Sequence, residues 1–173
     1  MIPSLPAIAF HRQVGPHRWG DHELITWFYD FEEYSTCDSW DLKYETRQGM
    51  VLVGPDLKCW EIVRVIDRGV FGSIPRRVLR FLLRQSVHRI DQELVEIAPI
   101  SLDNLKARIS ASVLANSDYW IDGGDIVGVN GPPREKQDLL DEIVAAVNAA
   151  GSVLQLIDAL YDLDLSSGTT PLG

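Results

Sequence analysis

The strongest constraint on this chain is the place where its hydrophobic period changes. Up to about residue 66, apolar residues come in short alternating or continuous runs separated by turn residues; beyond residue 73 they recur mostly at helical spacing. A period of two puts successive side chains on opposite faces of a strand, whereas a period near 3.6 stacks them along one face of a helix. Strands first and helices afterwards define an α+β fold, with an antiparallel sheet packed against helices.

The individual elements follow from that reading. Residues 1–22, rich in Pro, Gly, His and Arg, are expected to be irregular. Residues 24–29 are aromatic and β-branched and predict a strand. The acidic, polar stretch 30–39 predicts a loop. In 40–46, Trp40, Leu42, Tyr44 and Thr46 alternate with Asp41, Lys43 and Glu45, which predicts a strand with one wet face. Arg47-Gln48-Gly49 and Gly54-Pro55-Asp56 predict turns on either side of a strand at 50–53. Residues 57–66 carry apolar side chains on both faces and predict a central strand. Connections this short force antiparallel pairing.

Past the change of period, Ser73 and Pro75 open an expected helix in which Val78, Leu79, Leu82 and Leu83 form the stripe and Arg76, Arg77, Arg80 and Arg84 fill the remainder. Residues 91–97 alternate once more and predict a strand. Ser101 caps a helix with the stripe Leu102, Leu105, Ile109 and Val113. Residues 116–131 predict a loop. Pro132-Pro133 opens a helix carrying Leu139, Leu140, Ile143, Val144 and Val147. Gly151 ends it, and Ser152 begins a last helix carrying Val153, Leu156, Ile157 and Leu160. Residues 166–173 predict a frayed tail. The expectation is one domain, 1–173, in which a meander plus one later strand packs against about four α-helices concentrated in the C-terminal half.

Charge narrows the function classes. The net charge is −9, but residues 1–90 hold 12 Lys and Arg against 11 Asp and Glu, while residues 91–173 hold 4 against 14. A negative field of this kind repels phosphate backbones and attracts basic partners. No apolar run approaches the roughly 20 residues of a membrane helix, and residues 1–10 lack the basic start of a secretory signal. A cytoplasmic protein that binds neither nucleic acid nor membrane is therefore expected. Cys37 and Cys59 stand without CxxC spacing, which predicts thiols rather than a structural zinc site.

Candidate sites are few. His11, His17 and His22 are candidate metal ligands by residue type, but their spacings of six and five fit no single helical face. His88, following the arginine-rich helix, is expected to satisfy helix C-terminal carbonyls. The arginines are expected to pair internally with the acidic half or to form a solvated face. No GxSxG, HExxH, glycine-rich phosphate loop or nucleophilic cysteine with a paired histidine is legible, so neither a cofactor nor catalytic residues are expected. The richest feature is an acidic aromatic loop holding Asp118, Tyr119, Trp120, Asp122 and Asp125. A second such stretch holds Glu32, Glu33 and Tyr34. Tyr and Trp dominate protein interfaces, and neighbouring carboxylates suit a basic partner.

These features predict a protein-binding module with a basic partner, in particular an immunity-type inhibitor of a basic toxin or nuclease such as small acidic bacterial domains provide. Two other classes remain open from the sequence. One is an enzyme or small-ligand-binding domain with a pocket lined by Trp27, Tyr29, Trp40, Tyr44 and Trp60. The other is a homo-oligomeric subunit whose arginine-rich helix meets the acidic face of a second copy.

Overall fold

The computed structural model describes residues 3–12, 23–44, 47–70, 87–116 and 136–166. Within them the fold is α+β, with an antiparallel sheet and with the long helices in the C-terminal half. The chain divides into two compact units, Met1–Pro99 and Ile100–Gly173.

The first unit holds a six-stranded sheet in the order β2-β1-β4-β5-β6-β3. Its strands are β1 (Ala7–Arg12), β2 (Glu23–Phe28), β3 (Thr36–Asp38), β4 (Val51–Val53), β5 (Cys59–Val70) and β6 (Val87–Ile97). All pairings are antiparallel. Residues 7–12 are therefore a strand and not irregular. β1 lies between β2 and β4, and its Ala7, Ile8, Ala9 and Phe10 are buried on both faces. Ala9, Phe28, Tyr34, Met50, Leu52 and Ile62 form a buried cluster, with Leu5, Val65 and Leu94 packed on it.

Three further expectations are corrected. The segment 30–39 is not a loop, because it contains helix α1 (Phe31–Ser35) and strand β3. Asp30 caps α1 by accepting from the Glu33 amide at 2.9 Å, and the Glu33 carboxylate reaches back to the Tyr29 amide at 2.6 Å. This reciprocal arrangement is close to a capping box. The alternating segment 40–46 is helical over Ser39–Tyr44 (α2). Seven residues are too few to separate the two periods, and Asp38 just before the helix is a residue type that favours helix starts. His88 sits on strand β6 rather than at a helix end.

β5 and β6 form the longest pairing, with irregularities between Ile62 and Arg64 and between Asp67 and Val70. Arg64 and Glu93 are direct register partners and lie 3.7 Å apart; Arg68 and Asp91 meet at 2.6 Å. Both pairs are exposed and contribute little stability by themselves.

The second unit contains α3 (Leu102–Ala115), α4 (Lys136–Ala149) and α5 (Val153–Ser166). Ser101 caps α3 by accepting from the Asn104 amide at 3.2 Å. Leu105, Ile109 and Val113 are buried on α3, Leu140, Ile143 and Val147 on α4, and Val153, Leu156, Ile157 and Leu160 on α5, as the helical stripes require. The Lys106 ammonium donates to the Asn148 carbonyl at 2.9 Å, near the end of α4. Among the described residues no helix is long and apolar enough to cross a membrane.

Candidate functional site

The sheet edge at β3 creates a cleft of about 400 Å³ in the first unit. β3 is only three residues long and pairs with β6 so that Thr36 faces Arg89, Cys37 faces His88 and Asp38 faces Val87. Two short helices flank β3, and α2 brings Ser39, Leu42 and Lys43 to the cleft. Arg47 and Gln48 line it from the turn before β4, and Val65 and Asp67 from β5.

Arg47 holds this corner together. Its guanidinium donates to the carbonyls of Tyr34 at 2.9 Å and Thr36 at 2.6 Å, and its carbon lies 4.9 Å from the centroid of the Phe28 ring. A planar fork suits several carbonyl acceptors at once and stacks on an aromatic face. The Gln92 side-chain amide donates a further bond, 2.6 Å long, to the Tyr34 carbonyl. The connection between α1 and β3 is thereby fixed by two side chains distant in sequence.

Asp67 and His88 are the ionisable pair of the cleft. His88 Nδ1 lies 3.1 Å from both carboxylate oxygens of Asp67. An ionised carboxylate only accepts, so Nδ1 must carry the hydrogen, and in the neutral ring Nε2 then holds the lone pair. The Gly69 amide donates to Asp67 Oδ1 at 2.7 Å. That bond holds the carboxyl below its usual range against the opposing effect of burial, with His88 adding to the lowering. Gly69 permits the irregularity in β5 between Asp67 and Val70, because its φ of +96° is a conformation that favours glycine.

Cys37 completes the group. It is 6% exposed, and it is the directly opposed partner of His88 across β3 and β6. Such partners share a face of the sheet, with Cβ atoms roughly 4.5–5.5 Å apart. Neither Cys37 nor Cys59 forms a disulfide. Cys37, Asp67 and His88 are 21 or more residues apart in pairs, and only the strand pairing brings them together. The sequence patterns for nucleophilic sites are local, which is why a cysteine with a paired histidine was not legible there.

Of the residues expected from the sequence, Glu32, Glu33 and Tyr34 do not line this cleft. Glu32 and Glu33 are exposed on α1 beside Phe31, which is 51% exposed. Tyr34 is 5% exposed and packs edge-on against Phe28, with ring centroids 6.0 Å apart. Burial pushes its hydroxyl up to about 12, against the opposing effect of Arg47. Asp118, Tyr119, Trp120, Asp122 and Asp125 lie outside the described residues, as do His17, His22 and the arginine-rich segment 76–84. His11 lies on β1, and no metal-binding group of His, Cys, Asp and Glu occurs among the described residues. Of the aromatic residues expected to line a pocket, Trp27, Tyr29 and Trp60 do not line this cleft. Comparison with protein-family models, with curated proteins and with solved structures finds no match.

Proposed function

We propose that the chain is a protein-binding module for a cationic partner, of the immunity type, whose acidic surface covers a basic site on an effector such as a nuclease. One observation carries this reading. On α3, α4 and α5, every acidic side chain whose exposure is described (Asp103, Asp138, Asp141, Glu142 and Asp158) is exposed, whereas Lys106 and Arg108 are half-buried. The Lys106 ammonium is moreover turned to the Asn148 carbonyl. Among the described residues of this unit, outward-facing charge is thus mainly negative, and a field of one sign speeds encounter with a surface of the other. Phe31 beside Glu32 and Glu33 offers the first unit a contact of the same chemistry. On sequence grounds Trp120 and Asp122 belong to the same reading. A cytoplasmic setting forms part of it.

The test is to capture a partner from native-host extract at low salt, identify it, and measure its affinity through a salt series. The expected partner is basic, and its association slows steeply as salt rises. The double change Asp141→Lys with Glu142→Lys should slow association by roughly tenfold or more. Alanine at Trp120 or Asp122 should weaken the complex by roughly 1–3 kcal/mol. An acidic partner, or an affinity indifferent to salt, would overturn the reading.

A further inference from the structure

The cleft at β3 carries chemistry that a partner-binding role does not use. We propose that Cys37, His88 and Asp67 form a thiol site that attacks small acyl donors bearing a negative charge. Cys37 is the nucleophile, His88 its base, and Asp67 the positioning residue that holds the imidazole. Three observations support the assignment. All three side chains line one cleft. Cys37 and His88 are directly opposed across adjacent strands. The carboxylate of Asp67 engages Nδ1, which leaves Nε2 as the basic nitrogen of the neutral ring. A nucleophile beside a base that is itself oriented by a third group is the recurring arrangement of covalent catalysis. The charged groups that line the same cleft as Cys37 are Lys43 from α2, Arg47 from the turn before β4, Asp67 from β5 and His88 from β6. Two cations on the wall of the cleft, Lys43 and Arg47, suit an anionic substrate.

The step balances. The Cys37 thiol proton passes to His88 Nε2, Sγ bonds to the acyl carbon, and the bond from that carbon to the leaving group breaks. The leaving group departs with the proton from His88. Water then cleaves the thioester, again with His88 taking and returning the proton, which releases the acid and restores the thiol. The net change is hydrolysis of the acyl donor, and no oxidant or reductant enters.

Two probes test the site on the full chain. The first is iodoacetamide, followed peptide by peptide in a mass spectrometer across a pH series, with Cys59 as internal control because it is 3% exposed on β5. Cys37 should react roughly tenfold or more faster than Cys59 near neutral pH, with a midpoint below the ordinary thiol value of about 8.5. His88→Gln should return the midpoint toward that value, and Asp67→Asn should move it in the same direction. The second probe is 4-nitrophenyl hydrogen succinate, an anionic activated ester. It should give a burst of nitrophenolate and a succinyl mass on Cys37, both lost in Cys37→Ser. Because Cys37 is buried and its replacement can disturb folding, the pH profile of the unaltered protein decides independently. The proposal is overturned if Cys37 reacts no faster than Cys59, if its midpoint is ordinary and indifferent to His88→Gln, or if the ester acylates other residues instead.

Discussion

At the scale of single residues, Tyr34 shows how one stretch of sequence serves two purposes. Glu32 and Glu33 face solvent, but the ring that follows them turns inward against Phe28. Burial opposes the charged phenolate, so the folded chain keeps the proton to about 12 while an unfolded tyrosine loses it near 10. Between those values the unfolded state binds fewer protons than the native one, and stability falls as pH rises through that window; below it Tyr34 adds no pH dependence. A spectrophotometric titration of the unaltered chain minus that of Tyr34→Phe should isolate one phenol ionising near 12. A midpoint near 10 would mean that the ring is solvated. The alternation of acids and aromatics made this segment visible in the sequence as an interface candidate. It did not tell a solvent-facing ring from a buried one, because that depends on Phe28 and Arg47, which lie on other segments.

At the scale of elements, the helices of the second unit were the most legible part of the chain. Ser101, Gly151 and the stripes of α3, α4 and α5 carry their information within one turn or a few, and the caps and buried faces agree with it. The short elements around the cleft were not legible. α1 and α2 have five and six residues, and β3 has three. Their identities are set by caps and by pairing with β6 rather than by a repeat long enough to count. The spacing Asp30 to Glu33 was the one local sign of α1. Turns occupy a middle position. Gly54 was expected in one, and the structure adds the reason for glycine there: a Cβ would lie 3.2 Å from the Ser4 carbonyl oxygen and from the Trp60 ring. Gly54→Ala should therefore destabilise the first unit by roughly 1–3 kcal/mol, as crowding a packed site does. Chemical denaturation of the variant checks this, and an unchanged midpoint would show that the Ser4 segment yields freely.

At the scale of the whole molecule, the fold class followed from the order of periods along the chain, but the sheet order did not. A meander would place neighbours in sequence side by side. β1 and β2 are such neighbours, as are β4, β5 and β6, but β1 also pairs with β4, and β3 crosses to the far edge beside β6. Sequence patterns report which face of a strand is apolar and say little about which strand lies next to it. The candidate cleft is a product of that crossing, so its residues could not be grouped before the topology was known. The distribution of acidic side chains over α3, α4 and α5 was, by contrast, prefigured by the excess of acids past residue 90.

The brevity of β3 has a consequence for the order in which the molecule comes apart. Its partner residues on β6 lie some 50 positions away along the chain, and closing so large a loop for a three-residue ladder is entropically costly. The β5–β6 ribbon is the edge that β3 needs in order to pair, so this edge should be the first to peel away. Amide exchange read residue by residue in the native state should show Thr36, Cys37 and Asp38 losing protection well before Cys59 to Ile62. Chemistry at Cys37 would then be an early casualty of mild denaturant, fading while most of the sheet still stands.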